Sequence, residues 1–237
     1  MPVAVNLSLA FAGRQKELTT LNSLYAQRKH VLLIGPPGIG KSALLQQVRL
    51  HSPLLLCEET SKLSRICDGL ERQLGWTHYR LDVVERKNRL LTYIERRGES
   101  VAFDHVAQTP PRIARFMAHL SKHVPIWIVC RSKLPHDIGR VWEYLYDFVR
   151  VHVPPLSIAE TRLLVAQIVA QKNIQQDALN QAALLHQLSK GNPRILEELL
   201  IELSIRKYKM GTPFGRCLLD LDRRIQEITT NVANPST

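Results

Sequence analysis

The sequence lacks any hydrophobic run long enough to suggest a membrane span, and it lacks repeats and low-complexity tracts. A spanning helix requires roughly 20 apolar residues, which no run approaches. Residues 1–12 also lack the basic start and the cleavage-like site of a secretory signal. We therefore expect no membrane association and a cytoplasmic location. The cysteines show no C-x-x-C spacing, which favours buried free thiols over a zinc site or disulfides: Cys57, Cys67, Cys130 and Cys217.

Acidic residues are fewer than basic ones, and the resulting net positive charge is unevenly distributed along the chain. The 237 residues include 32 Lys and Arg against 21 Asp and Glu, which gives a net charge of +11. Residues 1–155 hold +9 of this charge, residues 156–205 hold −1 and residues 206–237 hold +3. Clustered positive charge indicates the phosphate backbone of DNA as a partner, because neutralising phosphates releases counterions. A solvated basic face without a partner is the alternative.

The most informative segment fits the phosphate-binding pattern G-x-x-x-x-G-K-S/T. Its residues are Gly35, Pro36, Pro37, Gly38, Ile39, Gly40, Lys41 and Ser42. The apolar run 31–34 before it predicts a buried strand, and the amphipathic run from Ala43 to Leu50 predicts a helix. The glycines allow backbone amides to face phosphates, Lys41 can reach the β and γ oxygens, and the Ser42 hydroxyl suits Mg²⁺. The pattern therefore predicts a nucleoside triphosphate site.

Strand and helix patterns alternate over the first two thirds of the chain. Further strands are predicted at 54–57, 101–103, 126–130 and 148–153, and further helices at 63–74, 82–97, about 110–123 and between the last two strands. From residue 157 onward only helices are predicted, at 159–172, 177–189 and 193–207, with one more around 218–228. The fold class is therefore α/β. We expect a three-layer αβα P-loop NTPase core with a parallel sheet (1–155), a small all-helical domain (156–209) and a basic tail (210–237).

An acidic residue follows the apolar strand 101–103. Asp104 lies about sixty residues after the phosphate loop, where such enzymes hold the water shell of Mg²⁺. The next residue is His105, where most ATPases of this type have a Glu that activates the attacking water. An imidazole can accept a proton but lacks the fixed negative charge, so we expect slow hydrolysis. Glu58 and Glu59 are a weaker alternative for the base.

Together these segments resemble AAA+ ATPases of the branch that contains origin-recognition initiators, transposition-regulator ATPases and STAND signalling NTPases. The run Phe11-Ala12-Gly13-Arg14-Gln15-Lys16-Glu17-Leu18 resembles the family's F-x-G-R-x-x-E-L motif, which lies against adenine. The phosphate loop and Asp104 resemble Walker A and Walker B. Arg131 stands at the family's sensor 1 position, and Gly191-Asn192-Pro193-Arg194 resembles sensor 2, whose arginine reaches the γ-phosphate. The resemblance covers about residues 10 to 207.

This resemblance implies ATP and Mg²⁺ as cofactors and a helical lid that follows the core. Gly13 and Arg14 would join the phosphate loop in binding the nucleotide, while Arg131 and Arg194 would act in catalysis. The family's arginine finger, which enters a neighbouring subunit's site, corresponds best to Arg140, with Arg150 a poorer candidate. A solvated helix charge explains Arg140 equally well.

The function expected from these residues is that of a nucleotide-dependent switch that forms a homo-oligomer, either a ring or a filament, when ATP is bound. Double-stranded DNA would bind its basic surface, as in a transposition regulator or helicase loader. Contributors on the two helices before Asp104 would be Arg65, Arg72, Arg86, Lys87, Arg89, Arg96 and Arg97. The alternatives are the NTPase module of a STAND-type regulator and a nucleotide-binding scaffold for a protein partner.

Overall fold

The computed structural model describes residues 13–77, 81–172 and 177–206, together with Leu221. Residues 11–12 of the amino-terminal motif lie outside this part of the chain, as does the predicted tail 210–237 apart from Leu221. The chain divides into two compact units. One comprises Gln15–Pro154, and the other combines Met1–Arg14 with Pro155–Thr237.

The first unit alternates strands and helices, as the sequence predicted. Its strands are β1 (Val31–Ile34), β2 (Leu54–Cys57), β3 (Ser100–Val106), β4 (Ile126–Cys130) and β5 (Val149–His152). Its helices are α1 (Gln15–Ala26), α2 (Lys41–His51), α3 (Leu63–Gln73), α4 (Val83–Arg97), α5 (Pro111–Ser121) and the short α6 (Pro135–Ile138), which is followed by a 3₁₀ helix over Arg140–Tyr144.

The five strands form one sheet in the order β2-β3-β4-β1-β5, and every pair is parallel. The first four strands are buried almost throughout, which is typical of a parallel sheet covered on both faces. Alternate strand residues such as Leu32, Phe103 and Ile128 share a core with α3, α4 and α5. On the other face Tyr25 of α1 makes an edge contact with Trp127 of β4, with ring centroids 6.3 Å apart. The three-layer αβα architecture is therefore confirmed.

The second unit contains four helices in the residues that the structure describes. These are α7 (Ile158–Lys172), α8 (Asp177–Asn180), α9 (Ala182–Ser189) and α10 (Pro193–Arg206). They enclose a separate apolar core that includes Val165, Leu185 and Leu200. Neither unit has a helix, among the residues described, that is long and apolar enough to cross a membrane.

Three of the predicted elements need correction, and one helix was not predicted. The predicted helix 177–189 is broken, because the Gln181 amide bonds the Ala178 carbonyl at 3.2 Å and so closes a turn. Strand β3 continues to Val106 instead of ending at residue 103. The helix predicted between β4 and β5 is two short pieces, since Gly139 has a φ of +63° and ends α6. Helix α1 was not predicted at all, because Leu21 is its only buried residue and its apolar pattern is correspondingly weak.

Candidate functional site

The phosphate loop leaves β1 and enters α2 through glycines in left-handed conformations. Gly38 has a φ of +77° and Gly40 a φ of +98°, which side chains strongly disfavour. Ile39, between them, is 1% exposed and anchors the loop in the core. A Cβ atom on Gly35 would lie 3.0 Å from the Ile39 side chain and 3.3 Å from the Val153 carbonyl oxygen. The glycine pattern is therefore required by the loop's own geometry.

Lys41 begins α2 and folds back over the loop. Its Nζ donates hydrogen bonds to the carbonyl oxygens of Gly35 at 2.6 Å and Pro36 at 2.9 Å. Burial lowers the pKa of Lys41 below its usual value, while the Asp104 carboxylate and the Cys130 thiol act in the opposite direction. The ammonium group therefore lies within electrostatic reach of Asp104. A partly desolvated cation in this place favours an anionic ligand.

The amino end of α2 adds further positive character. Its first-turn amides, including those of Ser42 and Ala43, have no partners within the helix, because no preceding turn supplies carbonyl groups. No acidic residue lies in this first turn, and Gly40 provides no side-chain cap. The helix dipole and these amides therefore face the loop without a carboxylate of the helix's own first turn to balance them, which suits a phosphate group.

Asp104 lies near the carboxyl end of β3. In the sheet, β4 lies between β3 and β1. The residue is 2% exposed, and its Oδ1 accepts a hydrogen bond from the amide of His105 at 2.8 Å. This bond fixes the orientation of the carboxylate. Carboxylate and hydroxyl oxygens are the ligand types that Mg²⁺ prefers, so Asp104 and Ser42 fit the metal role that the sequence predicted for them.

His105 has an unusual backbone. Its φ is +53°, and the register of β3 against β4 shifts between Phe103 and Val106. The bulge lets β3 continue while it turns the His105 side chain outward, where it is 72% exposed. Its Nε2 lies 3.6 Å from Oδ2 of Asp104. The His105 and Asp104 side chains thus lie side by side.

The predicted catalytic arginines lie in different places. Arg131 is exposed directly after β4. Arg140 is exposed in the 3₁₀ helix, and its Nη1 lies 2.7 Å from Oε1 of Glu143. Arg194 lies in the first turn of α10 in the helical unit, where its Nε is 3.1 Å from Oε1 of Glu198. The roles of all three arginines at a γ-phosphate stay predictions.

Gly13 and Arg14, the described start of the amino-terminal motif, are tied to α7. The Arg14 amide donates to Oε1 of Glu160 at 3.2 Å, and a Cβ atom on Gly13 would lie 2.8 Å from the Glu160 side chain. Burial acts to raise the pKa of Glu160, but hydrogen bonds from Ser157 and from the Arg14 amide outweigh it and lower that pKa. The sequence reasoning missed Glu160. The sequence pattern that could have revealed Glu160 is the capping box that it forms with Ser157 at the start of α7.

The proposed DNA-contacting cations are not all on the surface. Arg65, Arg72, Arg89, Arg96 and Arg97 are exposed and Lys87 is half-buried.

Arg86 is instead 6% exposed, and its Nε and Nη2 donate to Oε2 of Glu71 at 2.9 and 2.5 Å, while Nη2 also donates to Asp68 at 2.6 Å. The prediction that Arg86 belongs to a DNA-binding face was therefore wrong. Helical spacing alone did not show that its main carboxylate partner on α3, Glu71, is buried.

Comparison with known proteins supports the fold. The chain matches no protein-family model. Over 41 residues it is 44% identical to a putative Lon protease homologue of Methanothermobacter thermautotrophicus, but this match covers 17% of the chain and 8% of the homologue.

Among the solved structures that resemble the protein over most of its length, three are informative. One is an Orc1 protein of Aeropyrum pernix in complex with DNA, with a TM-score of 0.62 and 16% identity over 90% of this chain and 66% of that one. Another is a Walker-type ATPase of Pyrococcus abyssi, with a TM-score of 0.65 and 19% identity over 95% of this chain and 77% of that one.

The third is an Orc2 protein of Aeropyrum pernix in ADPNP and ADP complexes, with a TM-score of 0.65 and 13% identity over 90% of this chain and 69% of that one. The TM-scores establish a shared fold, but sequence identities this low leave the substrates and partners open. The chain therefore has the fold of the Orc1-like AAA+ P-loop ATPases, as its motifs predicted.

Proposed function

We propose that the protein is an ATP-binding, nucleotide-dependent switch that hydrolyses ATP slowly and binds double-stranded DNA. The observation that carries the proposal is the phosphate loop at the carboxyl end of β1, with the Lys41 ammonium within electrostatic reach of the buried Asp104 carboxylate. A loop that merely turned between a strand and a helix would need neither group.

Lys41 would exchange its two carbonyl contacts for the β and γ oxygens of ATP. Carbonyl oxygens carry partial charges, whereas phosphate oxygens carry full ones, so the exchange strengthens the hydrogen bonds. The first-turn amides of α2 would bind the same phosphates. Ser42 and Asp104 would hold Mg²⁺, which would neutralise phosphate charge during hydrolysis. The Orc2 protein of similar fold was solved with ADPNP and ADP, which supports a nucleotide ligand here.

Slow turnover follows from His105. Its imidazole is largely exposed and lies beside Asp104, so it does not supply a second fixed negative charge to a water molecule. General-base catalysis contributes about 10²–10⁴-fold to a rate when the base is well matched. A site without that base would keep ATP bound for longer, which suits a switch whose bound state must persist.

The DNA component rests on charge. Residues 1–155 carry +9, and five of the proposed arginines on α3 and α4 are exposed. Arg89 lies 4.2 Å over the Trp76 ring, and Arg97 pairs with Glu99 at 3.1 Å, so these two are partly held by their neighbours. The Orc1 protein of similar fold was solved in complex with DNA, which supports the same class of partner.

A homo-oligomer assembled on ATP is the remaining part of the proposal. Arg140 is exposed just before β5 and could exchange Glu143 for a neighbouring subunit's γ-phosphate. A ring or filament built in this way would repeat the basic face of each subunit along a DNA duplex, which would strengthen sequence-independent binding.

The test is fluorescence anisotropy of a labelled random-sequence duplex with the purified protein in ATP, ADP or no nucleotide, across a salt series. We expect the tightest binding with ATP, with log affinity falling against log salt at a slope of about −0.9 per phosphate contacted. Lys41→Ala should abolish the ATP effect and the binding of a fluorescent ATP analogue. Lys29→Ala, which removes an exposed lysine between α1 and the amino end of β1, is the matched control and should behave as wild type.

The possible outcomes separate the candidates. ATP binding without DNA binding in any state would support the STAND-type module or the scaffold for a protein partner. Failure of the wild-type protein to bind the ATP analogue would refute the whole proposal.

A further inference from the structure

Three side chains that play no part in the nucleotide site converge at the ends of α4 and α5. Glu95 lies in the last turns of α4, His119 in the last turn of α5, and His123 four residues later in the turn that follows. The Nε2 atoms of His119 and His123 lie 3.3 and 3.7 Å from the same oxygen, Oε1 of Glu95. One potential ligand atom from each residue lies within 4.8 Å of the other two.

The cluster lies at the end of the sheet where β3 and β4 begin, opposite the end that carries the phosphate loop. Helix α4 leads into β3 and α5 leads into the adjacent β4, so both helices end beside the amino ends of these parallel strands. Lys41 and Asp104 lie at the carboxyl ends of β1 and β3. This cluster is therefore separate from the proposed Mg²⁺ position, and substitutions in it can be tested without touching the residues of the nucleotide site.

The distances match those around a tetrahedral metal ion. Zinc binds histidine nitrogen and carboxylate oxygen at about 2.0–2.2 Å, which places neighbouring ligand atoms about 3.3–3.6 Å apart in a tetrahedron. Of the two nitrogen–oxygen distances, the one of 3.3 Å lies within that range and the one of 3.7 Å lies slightly above it. The imidazole rings are tilted by 49°, with centroids 5.1 Å apart, so they are not stacked face to face and can direct both Nε2 atoms at one point.

The ligand chemistry favours a transition metal over Mg²⁺ or Ca²⁺. Two imidazoles and one carboxylate suit Zn²⁺, whereas Mg²⁺ and Ca²⁺ prefer oxygen ligands throughout. The carboxyl-terminal ends of α4 and α5 also favour a cation, because helix carbonyls give these ends partial negative charge. The side chains are partly exposed, at 31% for Glu95, 51% for His119 and 43% for His123, so an ion can enter from solvent.

The geometry points to a Zn²⁺ site formed by Glu95, His119 and His123. The ion would link the last turn of α4 to the end of α5, and its fourth position would be open to water or to a side chain of another molecule. The site was not predicted from the sequence, because Glu95 is far from the two histidines along the chain.

The test is isothermal titration of tag-free, chelator-treated protein with ZnCl₂, together with thermal unfolding in the same buffers. We expect one saturable site per chain. At free Zn²⁺ about 100-fold above its dissociation constant, the Tm should rise by about 5–10 °C. His119→Ala and Glu95→Gln should each weaken binding by at least about 10–100-fold, the loss caused by changing residues around a metal's direct ligands. MgCl₂ should produce no comparable heat or shift.

The control is His136→Ala, which removes an exposed histidine whose Nε2 lies 3.8 Å from a single carboxylate, that of Asp137. This variant should bind Zn²⁺ as wild type does, and all three variants should bind the ATP analogue normally. Absence of a saturable site, or equal binding by wild type and the His119 and Glu95 variants, would overturn the proposal and leave an ordinary histidine–carboxylate ion pair. Normal ATP binding alongside lost Zn²⁺ binding would show that the variants fold.

Discussion

Replacement of Arg86 by methionine tests whether this cation stabilises the fold or binds DNA. The guanidinium links α4 to Glu71 and Asp68 of α3, and its hydrogen bonds to Glu71 are the main reason that its pKa is raised. Glu71 is 1% exposed, so Arg86→Met would leave a carboxylate in the core without its cation. Asp68 is more exposed, at 31%, and can regain water.

Removing one member of a buried ion pair costs about 3–5 kcal/mol of unfolding free energy, because the remaining charge stays desolvated. For a chain of this size each kcal/mol lowers Tm by about 2–4 °C, so the expected drop is about 6–20 °C. The assay is urea and thermal unfolding followed by circular dichroism. Arg65→Met is the control, since Arg65 is 58% exposed and lies 3.8 Å from Glu59. An exposed pair of this kind contributes about 0–1 kcal/mol.

A double substitution sharpens this prediction. Arg86→Met combined with Glu71→Met replaces both charges with apolar groups, so most of the lost stability should return. At a temperature where Arg86→Met remains folded, its DNA affinity should have the same salt dependence as that of wild type. A loss below about 1 kcal/mol in the single variant would refute the buried-pair reasoning. A reduced salt slope in a fully folded variant would return Arg86 to the DNA-binding face.

Two further predictions concern histidines. His105→Glu should raise the rate of phosphate release from ATP by at least about tenfold, because a carboxylate supplies the fixed charge that imidazole lacks; His51→Glu, on the exposed end of α2, should not. Burial lowers the pKa of His30, whose Nδ1 accepts the Ile126 amide at 3.1 Å, so its neutral form stabilises the fold. This contribution is complete above the usual pKa of 6.5 and is lost as the pH falls through the lower folded value.

Clear outcomes would contradict these two predictions. Equal turnover of His105→Glu and wild type, with ATP binding intact, would show that His105 does not limit hydrolysis. For His30, urea unfolding at about pH 7.5 and pH 5.5 should show a smaller fall in stability for His30→Gln than for wild type. An identical fall in both proteins would mean that other groups account for the acid sensitivity.

Local sequence patterns predicted the phosphate loop because the residues that form it are contiguous. The loop from Gly35 to Ser42 contains its own glycine conformations, its lysine and its helix start, so eight neighbouring residues specify the geometry. The strands β1, β2 and β4 were equally clear. Strands buried on both faces read as continuous apolar runs, and each run is bounded by polar or turn residues.

Asp104 was proposed as a site residue from its distance from the loop along the chain, but the sequence did not predict its surroundings. The bulge that exposes His105 arises from the pairing of β3 with β4, which are formed by separate segments. The hydrogen bond from Arg14 to Glu160 likewise joins residues 146 positions apart. Each of these features depends on which segments become neighbours in space, and no periodicity within one segment encodes that.

The sequence by itself determined the fold class, the phosphate loop and the basic excess, because helix and strand periods, glycine conformations and net charge are local or additive properties. Only the tertiary structure decided that Arg86 is buried with Glu71 and that Glu95 meets His119 and His123. The physical reason is the same in both cases. The role of a charged or metal-binding side chain depends on the groups that surround it and on its access to water, and both are set by helices packing against a sheet whose strand order differs from the order of the chain.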